Sequence, residues 1–173
     1  EEARENVRVL VVEDSPVNLE LALMQLENLG IKADSAANGR EAIERHEQQP
    51  YDIIFMDCQM PEMDGYEATW QIRNRENERS KEPGDVPRVH IIAMTADTAE
   101  DSREKCLAAG MNDYVQKPVQ MPALETAIQR ALSGPSGAQV EEVLDPMVLA
   151  GLRMLRKPGK PDPVATLIDL FLK

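Results

Sequence analysis

Five side chains in this sequence share one possible chemistry. Glu13 and Asp14 close a short apolar run, Asp57 closes a second, Thr95 closes a third, and Lys117 follows a fourth just before a proline. Were these run ends to converge, three carboxylates would face one another with a hydroxyl and an ammonium at the rim. Two unit charges about 4 Å apart repel by roughly 4 kcal/mol at an effective dielectric of 20. Such a cluster must either take up protons or hold a cation, and hard oxygen donors with room left for water suit Mg2+. The set fits phosphoryl transfer to a carboxylate. Asp57 would be the nucleophile, the metal and Lys117 would neutralise charge on the transferring group, and the Thr95 hydroxyl would hydrogen-bond a phosphoryl oxygen. No general base is required, because a carboxylate is already ionised near neutrality.

Convergence depends on the elements that carry these residues. Strand-length apolar runs at Val7–Val12, Ile31–Ala36, Ile53–Met56, Val89–Met94 and Tyr114–Val115 alternate with helical patterns. Ser15-Pro16 supplies an N-cap and a proline for the first helical position, with Leu19, Ala22, Leu23 and Leu26 following at helical spacing up to Gly30. Asn38-Gly39 opens a second helix, Gly65–Arg75 reads as a third, Ser102–Ala109 as a fourth, and Leu124, Ala127, Ile128 and Ala131 mark a fifth. The polar stretch Glu76–Arg88, with Pro83, Gly84 and Pro87, reads as a surface loop. Strands that are apolar throughout, alternating with helices, predict an α/β fold with a parallel sheet covered on both faces. In such sheets ligands bind beyond the carboxyl ends of the strands, at a topological switch point.

Composition narrows the function. A formal net charge of -12 over 173 residues speaks against a nucleic-acid-binding surface and against a polybasic membrane anchor. No apolar run approaches a membrane span, so a cytoplasmic segment without membrane contact is expected. The two cysteines, Cys58 and Cys106, have no metal-ligand spacing and read as small core hydrophobes. His46 is expected on a solvated helix face, His90 in a strand, and Trp70 partly buried on its helix. No glycine-rich phosphate loop follows the first strand, so the chain is not expected to use ATP itself.

The motifs Val9-Leu10-Val11-Val12-Glu13-Asp14, Phe55-Met56-Asp57-Cys58-Gln59-Met60-Pro61-Glu62-Met63-Asp64-Gly65, Met94-Thr95-Ala96 and Tyr114-Val115-Gln116-Lys117-Pro118 resemble the receiver domain of two-component response regulators. The resemblance implies a flavodoxin-like five-stranded sheet of order 2-1-3-4-5. It implies that Asp57 is the phosphoacceptor, and that Glu13, Asp14, Asp57 and the Gln59 backbone carbonyl hold Mg2+. Thr95 and Tyr114 would form a switch pair, Tyr114 turning inward as Thr95 moves toward the phosphoryl group, and the bond before Pro118 would be cis. A histidine kinase or histidine-phosphotransfer protein would donate the phosphoryl group, and the receiver would promote its own phosphorylation and dephosphorylation. Two other readings stand beside this one. A receiver-like binding module that never carries phosphate would be expected to lack Asp57, Asp14 or Lys117. An aspartate-nucleophile phosphatase would want a second acid two residues after Asp57, where Gln59 stands.

The receiver-like region spans 7–133, and 134–143 reads as a linker rich in Gly, Ser and Pro. Residues 144–173 carry two helical patterns opened by Asp145-Pro146 and Asp162-Pro163. They resemble the start of a histidine-phosphotransfer domain but contain no histidine. Their apolar faces, with Leu149, Leu152, Leu167 and Phe171, offer a route to self-association. Asp14-Ser15-Pro16-Val17-Asn18 and the long loop before the fourth strand resemble receivers attached to hybrid histidine kinases, and this tail supports that resemblance.

Overall fold

In the computed structural model the described residues are 6–79, 88–97 and 100–133. Five parallel strands, β1 (Val9–Val12), β2 (Ala33–Ala36), β3 (Ile53–Asp57), β4 (His90–Thr95) and β5 (Asp113–Gln116), form one sheet of order β2-β1-β3-β4-β5. Five helices alternate with them: α1 (Pro16–Asn28), α2 (Gly39–Gln48), α3 (Gly65–Arg79), α4 (Glu100–Ala109) and α5 (Met121–Leu132). The expected fold class and strand order are therefore both found. Compactness divides the chain into Glu1–Ile128 and Gln129–Lys173. The linker and the helical patterns expected over 134–173 lie outside the described residues.

The strands are short, but β1 and β3 are buried along their whole length. Alternate side chains of a strand point to opposite faces, so burial on both sides demands helices on both sides. On one face Leu10, Val12, Ile54, Met56, Ile91 and Ala93 pack with Ala42, Ile43, Ala68, Ile72 and Cys106. The residues of opposite parity, Val9, Val11, Phe55 and Ile92, are equally buried, as are Ala22 and Leu26 of α1 and Leu124, Ala127 and Ile128 of α5.

Local signals set the helix ends. The amide of Asn18 donates to the Ser15 hydroxyl behind Pro16. The amide of Glu41 donates to Asn38 Oδ1 at 2.8 Å, while Glu41 accepts from the Ala37 amide at 2.8 Å. Gly30 leaves α1 at a φ of 79°, in the left-handed region that glycine enters without a Cβ penalty. Gly65 starts α3 for a different reason. A Cβ there would overlap the carbonyl oxygen of Asp57, so only glycine lets the helix begin this close to the end of β3.

Three expectations need correction. The helix after Gly65 does not stop at Arg75 but runs to Arg79, because Glu76, expected in a loop, is buried against Arg73. The Arg73 guanidinium donates to Glu76 Oε2 at 2.7 Å, to the Val89 carbonyl at 2.8 Å, to the Gly110 carbonyl at 2.9 Å and to Asn112 Oδ1 at 2.6 Å. His46 is buried rather than solvated, with Nε2 3.8 Å from Glu76 Oε1. Trp70, expected partly buried, is 58% exposed.

The Arg73 cluster braces α3 against the starts of β4 and β5, and removing one member leaves a buried charge without its partner. Arg73→Met is expected to lower the unfolding free energy by about 3 kcal/mol or more, and Arg73→Met with Glu76→Gln by less than the single change. Gly65→Ala should cost about 1–3 kcal/mol through overpacking. Urea unfolding monitored by circular dichroism measures all three, and a Gly65→Ala protein as stable as wild type would refute the close-approach argument.

Candidate functional site

The register of the sheet brings the five residues named at the outset to one edge. Val12, Met56 and Ala93 lie side by side across β1, β3 and β4, one residue further Asp57 pairs with Met94, and Thr95 pairs with Gln116. Glu13 therefore follows β1, Asp57 ends β3, Thr95 ends β4 and Lys117 follows β5, all at the carboxyl edge. Backbone bonds extend the ladder into the site. The amide of Glu13 donates to the Ala36 carbonyl at 3.1 Å, Cys58 to Met94 at 3.0 Å and Lys117 to Thr95 at 2.8 Å.

Glu13 and Asp57 are buried and Asp14 is exposed. Each offers one carboxylate oxygen to a cluster whose members lie within 4.8 Å of one another. The Lys117 ammonium reaches in over this cluster, 2.7 Å from Glu13 Oε2 and 2.8 Å from Asp57 Oδ1. The Lys117-Pro118 peptide is cis, as the resemblance implied. Asp57 Oδ1 also accepts from the Gln59 amide at 3.0 Å, while Asp57 Oδ2 is buried without a hydrogen-bond partner.

Burial drives the Asp57 carboxyl up to about 6, reinforced by the charge of Glu13 and opposed by the bonds from Lys117 and the Gln59 amide. For Lys117 burial works downward, but the bonds to Asp57 and Glu13 outweigh it and hold the ammonium above its ordinary range. One ammonium thus sits among three acids, and one buried carboxylate oxygen has no partner. A hard divalent cation bound by oxygens fits both facts.

Thr95 and Tyr114 are near the edge but turned elsewhere. The Thr95 hydroxyl accepts from the Asp97 amide at 3.1 Å and donates to the Asp97 carbonyl at 3.2 Å. Tyr114 is 41% exposed, with the Arg103 guanidinium carbon 5.9 Å from its ring centroid. Cys58 and Cys106 are both buried in one core cluster with Tyr66 packed against it, the small core hydrophobes that their spacing suggested.

Comparison with known proteins agrees with this geometry. The profile described as "Response regulator receiver domain" matches residues 9–129. "Hybrid signal transduction histidine kinase K" of Dictyostelium discoideum is 40% identical over 126 residues, covering 73% of this chain and 10% of that protein. The chain spans between 6% and 19% of the length of the curated relatives it matches. Among solved structures, the receiver domain of sensor histidine kinase PA1611 from Pseudomonas aeruginosa, with a magnesium ion coordinated in its active-site cleft, is 42% identical with a TM-score of 0.64. It covers 74% of this chain and 98% of that one. The receiver domain of the response regulator Ssk1 of Saccharomyces cerevisiae, crystallised with the histidine phosphotransfer protein Ypd1, is 32% identical with a TM-score of 0.67. It covers 81% of this chain and 93% of that one. The sheet order, the acidic edge and the matched motifs together make this chain a member of the response regulator receiver domain family, homologous to the receivers of hybrid histidine kinases.

Proposed function

We propose that Asp57 accepts a phosphoryl group from a phosphohistidine and that the receiver then changes conformation to control signalling within a hybrid histidine kinase. The observation that carries this reading is the state of the Asp57 carboxylate. It is buried, held through Oδ1 by Lys117 and the Gln59 amide, and left without a partner at Oδ2. An oxygen in that state is oriented and costs little to commit to a new bond.

In the transfer an Asp57 oxygen bonds to phosphorus as the phosphorus–nitrogen bond to the donor imidazole breaks. The imidazole nitrogen keeps the electron pair and takes a proton. Glu13, Asp14, Asp57 and the Gln59 carbonyl are the groups that would hold Mg2+, which supplies charge neutralisation for the transferring group. Lys117 exchanges a carboxylate contact for a phosphoryl oxygen, so its charge stays paired throughout. The Thr95 hydroxyl, now donating to the Asp97 carbonyl, is on the rim and free to turn its proton to a phosphoryl oxygen. Moving Thr95 opens room for the Tyr114 ring to leave the surface, which is the switch. The donor is a histidine kinase or a histidine-phosphotransfer protein, the class of partner seen with the Ssk1 receiver. For 144–173 the opening helices of a phosphotransfer domain are the reading that the Asp-Pro starts support.

Incubation with acetyl phosphate and magnesium, followed by intact mass measurement, is expected to show one added, base-labile phosphoryl group. Asp57→Asn and a magnesium-free sample should show none. Lys117→Ala is expected to slow the reaction roughly a hundredfold. Failure to gain phosphate, together with failure to bind beryllofluoride, would replace this reading with that of a non-phosphorylated binding module.

The raised Asp57 pKa gives a second, independent prediction. Its ordinary value is 3.8 and its value in the fold about 6, so the folded state binds the proton more tightly than the unfolded chain. The stability linked to that proton is full below pH 3.8 and is lost as pH rises through about 6. Without metal, wild type should lose up to about 3 kcal/mol between roughly pH 4 and pH 7 relative to Asp57→Asn. Millimolar magnesium, which favours the ionised form, should restore much of it. Parallel urea titrations of the two proteins across this range are the check, and equal slopes would disprove the assignment.

A further inference from the structure

At the edge of the sheet away from Asp57, α3, the end of α4 and the start of β4 enclose a cleft of about 370 Å³, within the size range of small-molecule sites. Trp70, Asn74 and Asn77 stand at helical spacing along one face of α3 and form one wall. Ala108, Ala109 and Gly110 line the cleft from the end of α4, and their small size leaves the space open. Gly110 is held small by two demands, a φ of 101° and a Cβ position only 2.9 Å from Arg73 Cγ. Trp70 is 58% exposed, so the core does not require an indole at that position.

The charge of the cleft is opposite to that of the chain. Acids outnumber Lys and Arg by 31 to 19, yet among the described residues the charged groups lining the cleft are Arg73 and Arg88, without a carboxylate. Glu76 stands outside the lining, 2.7 Å from Arg73 and 3.7 Å from Arg88, so one acid is shared by two guanidinium groups. Arg73 is buried and its donors are committed to Glu76, Val89, Gly110 and Asn112. The Arg88 side chain is 58% exposed. It donates from Nη2 to Asn77 Oδ1 at 2.6 Å, which anchors it to the α3 wall and leaves most of its five donors for another acceptor.

We propose that this cleft binds a planar aromatic ring bearing an anionic group, with the ring stacked on Trp70 and the carboxylate or phosphate held by Arg88. An indole face accepts any flat π system. A guanidinium matches the paired oxygens of a carboxylate or phosphate with two parallel hydrogen bonds. Asn74, one turn along α3 from Trp70, brings an amide donor and acceptor to the polar edge of a heterocycle. An aliphatic anion would forfeit the stacking and a neutral ring would forfeit the charge-assisted bonds, so the two features select together.

Trp70 is the single tryptophan of the chain, so its fluorescence reports on the wall of the cleft directly. Adenosine monophosphate and benzoate should each be titrated into the full chain, with adenosine and inorganic phosphate as single-feature controls. Saturable quenching by either aromatic anion is expected, and the tighter of the two identifies the anion as phosphate or carboxylate. Adenosine and inorganic phosphate should each bind about tenfold or more weakly than adenosine monophosphate. By calorimetry, Trp70→Leu and Arg88→Gln should each weaken the preferred probe by about tenfold or more. Both side chains are more than half exposed, and circular dichroism checks that each variant is folded. Absence of saturable binding by both aromatic anions would overturn the proposal, as would adenosine binding as tightly as its monophosphate or a folded Arg88→Gln protein with unchanged affinity. Asp57→Asn should bind as wild type does, so the result stands apart from phosphoryl transfer at the acidic edge.

Discussion

Mutual repulsion among Glu13, Asp14 and Asp57 is the constraint around which this molecule is arranged. A fold gains nothing in stability from placing carboxylate oxygens within 4.8 Å of one another, and burying two of the three raises the cost further. The Lys117 ammonium, 2.7 and 2.8 Å from two of them, offsets part of that cost. It does not neutralise the cluster, since one positive charge stands against three acids. Burial, reinforced by the charge of Glu13, displaces the Asp57 carboxyl upward, and Asp57 Oδ2 is left unpartnered. Both are signs of a site completed by something it binds.

The sheet makes that arrangement possible because β1 and β3 are neighbours although β2 intervenes in the chain. The connection after β1 leads outward to β2, while the connection after β3 leads the opposite way to β4. Loops on either side of the β1–β3 boundary therefore diverge and leave a crevice between them, the topological switch point of a doubly wound sheet. Glu13 and Asp57 end the two strands that flank this crevice. The opposite edge is closed by side chains. Arg73 binds carbonyls of Val89 and Gly110 and the amide oxygen of Asn112 in a buried setting. One edge of the sheet is thus tied by a buried guanidinium while the other keeps an open valence at Asp57 Oδ2.

How much of this was legible in the sequence follows from the range of each interaction. Strand and helix order could be read because it depends on local signals, such as the apolar run before Asp57, the Ser15-Pro16 start and the glycine at 30. The site residues could be read because each stands at the end of such a run, and run ends of a parallel sheet share an edge. What stayed hidden depends on contacts between distant elements. Glu76 looked like part of a polar loop because only the folded chain shows Arg73 and the Val89 amide on either side of it. His46 looked solvated because its helix carries charges on most faces, yet Glu76 waits 3.8 Å away across the helix pair. Gly65 resembled an ordinary helix start until the Asp57 carbonyl was found in the space of its missing Cβ.

In the proposed switch, Thr95 and Tyr114 are the residues that would distinguish two states. In this structure the Thr95 hydroxyl both donates to and accepts from Asp97, a closed local loop of bonds. Tyr114 lies outward under the Arg103 guanidinium. Neither arrangement draws on the acidic cluster, so neither is paid for by it. A new anionic group at Asp57 would compete directly for the Thr95 proton, offering a charge-assisted bond in place of a neutral one, and the charge-assisted bond is roughly twice as strong. The difference of about 1 kcal/mol is small against the stability of a domain, yet it falls on a hydroxyl whose present bonds reach only two residues along the chain. Breaking them disturbs no strand pairing, since Lys117 holds the Thr95 carbonyl, not its side chain. Thr95, the switch residue of the proposed function, is therefore anchored through its backbone and free through its hydroxyl, which is the division a two-state element requires.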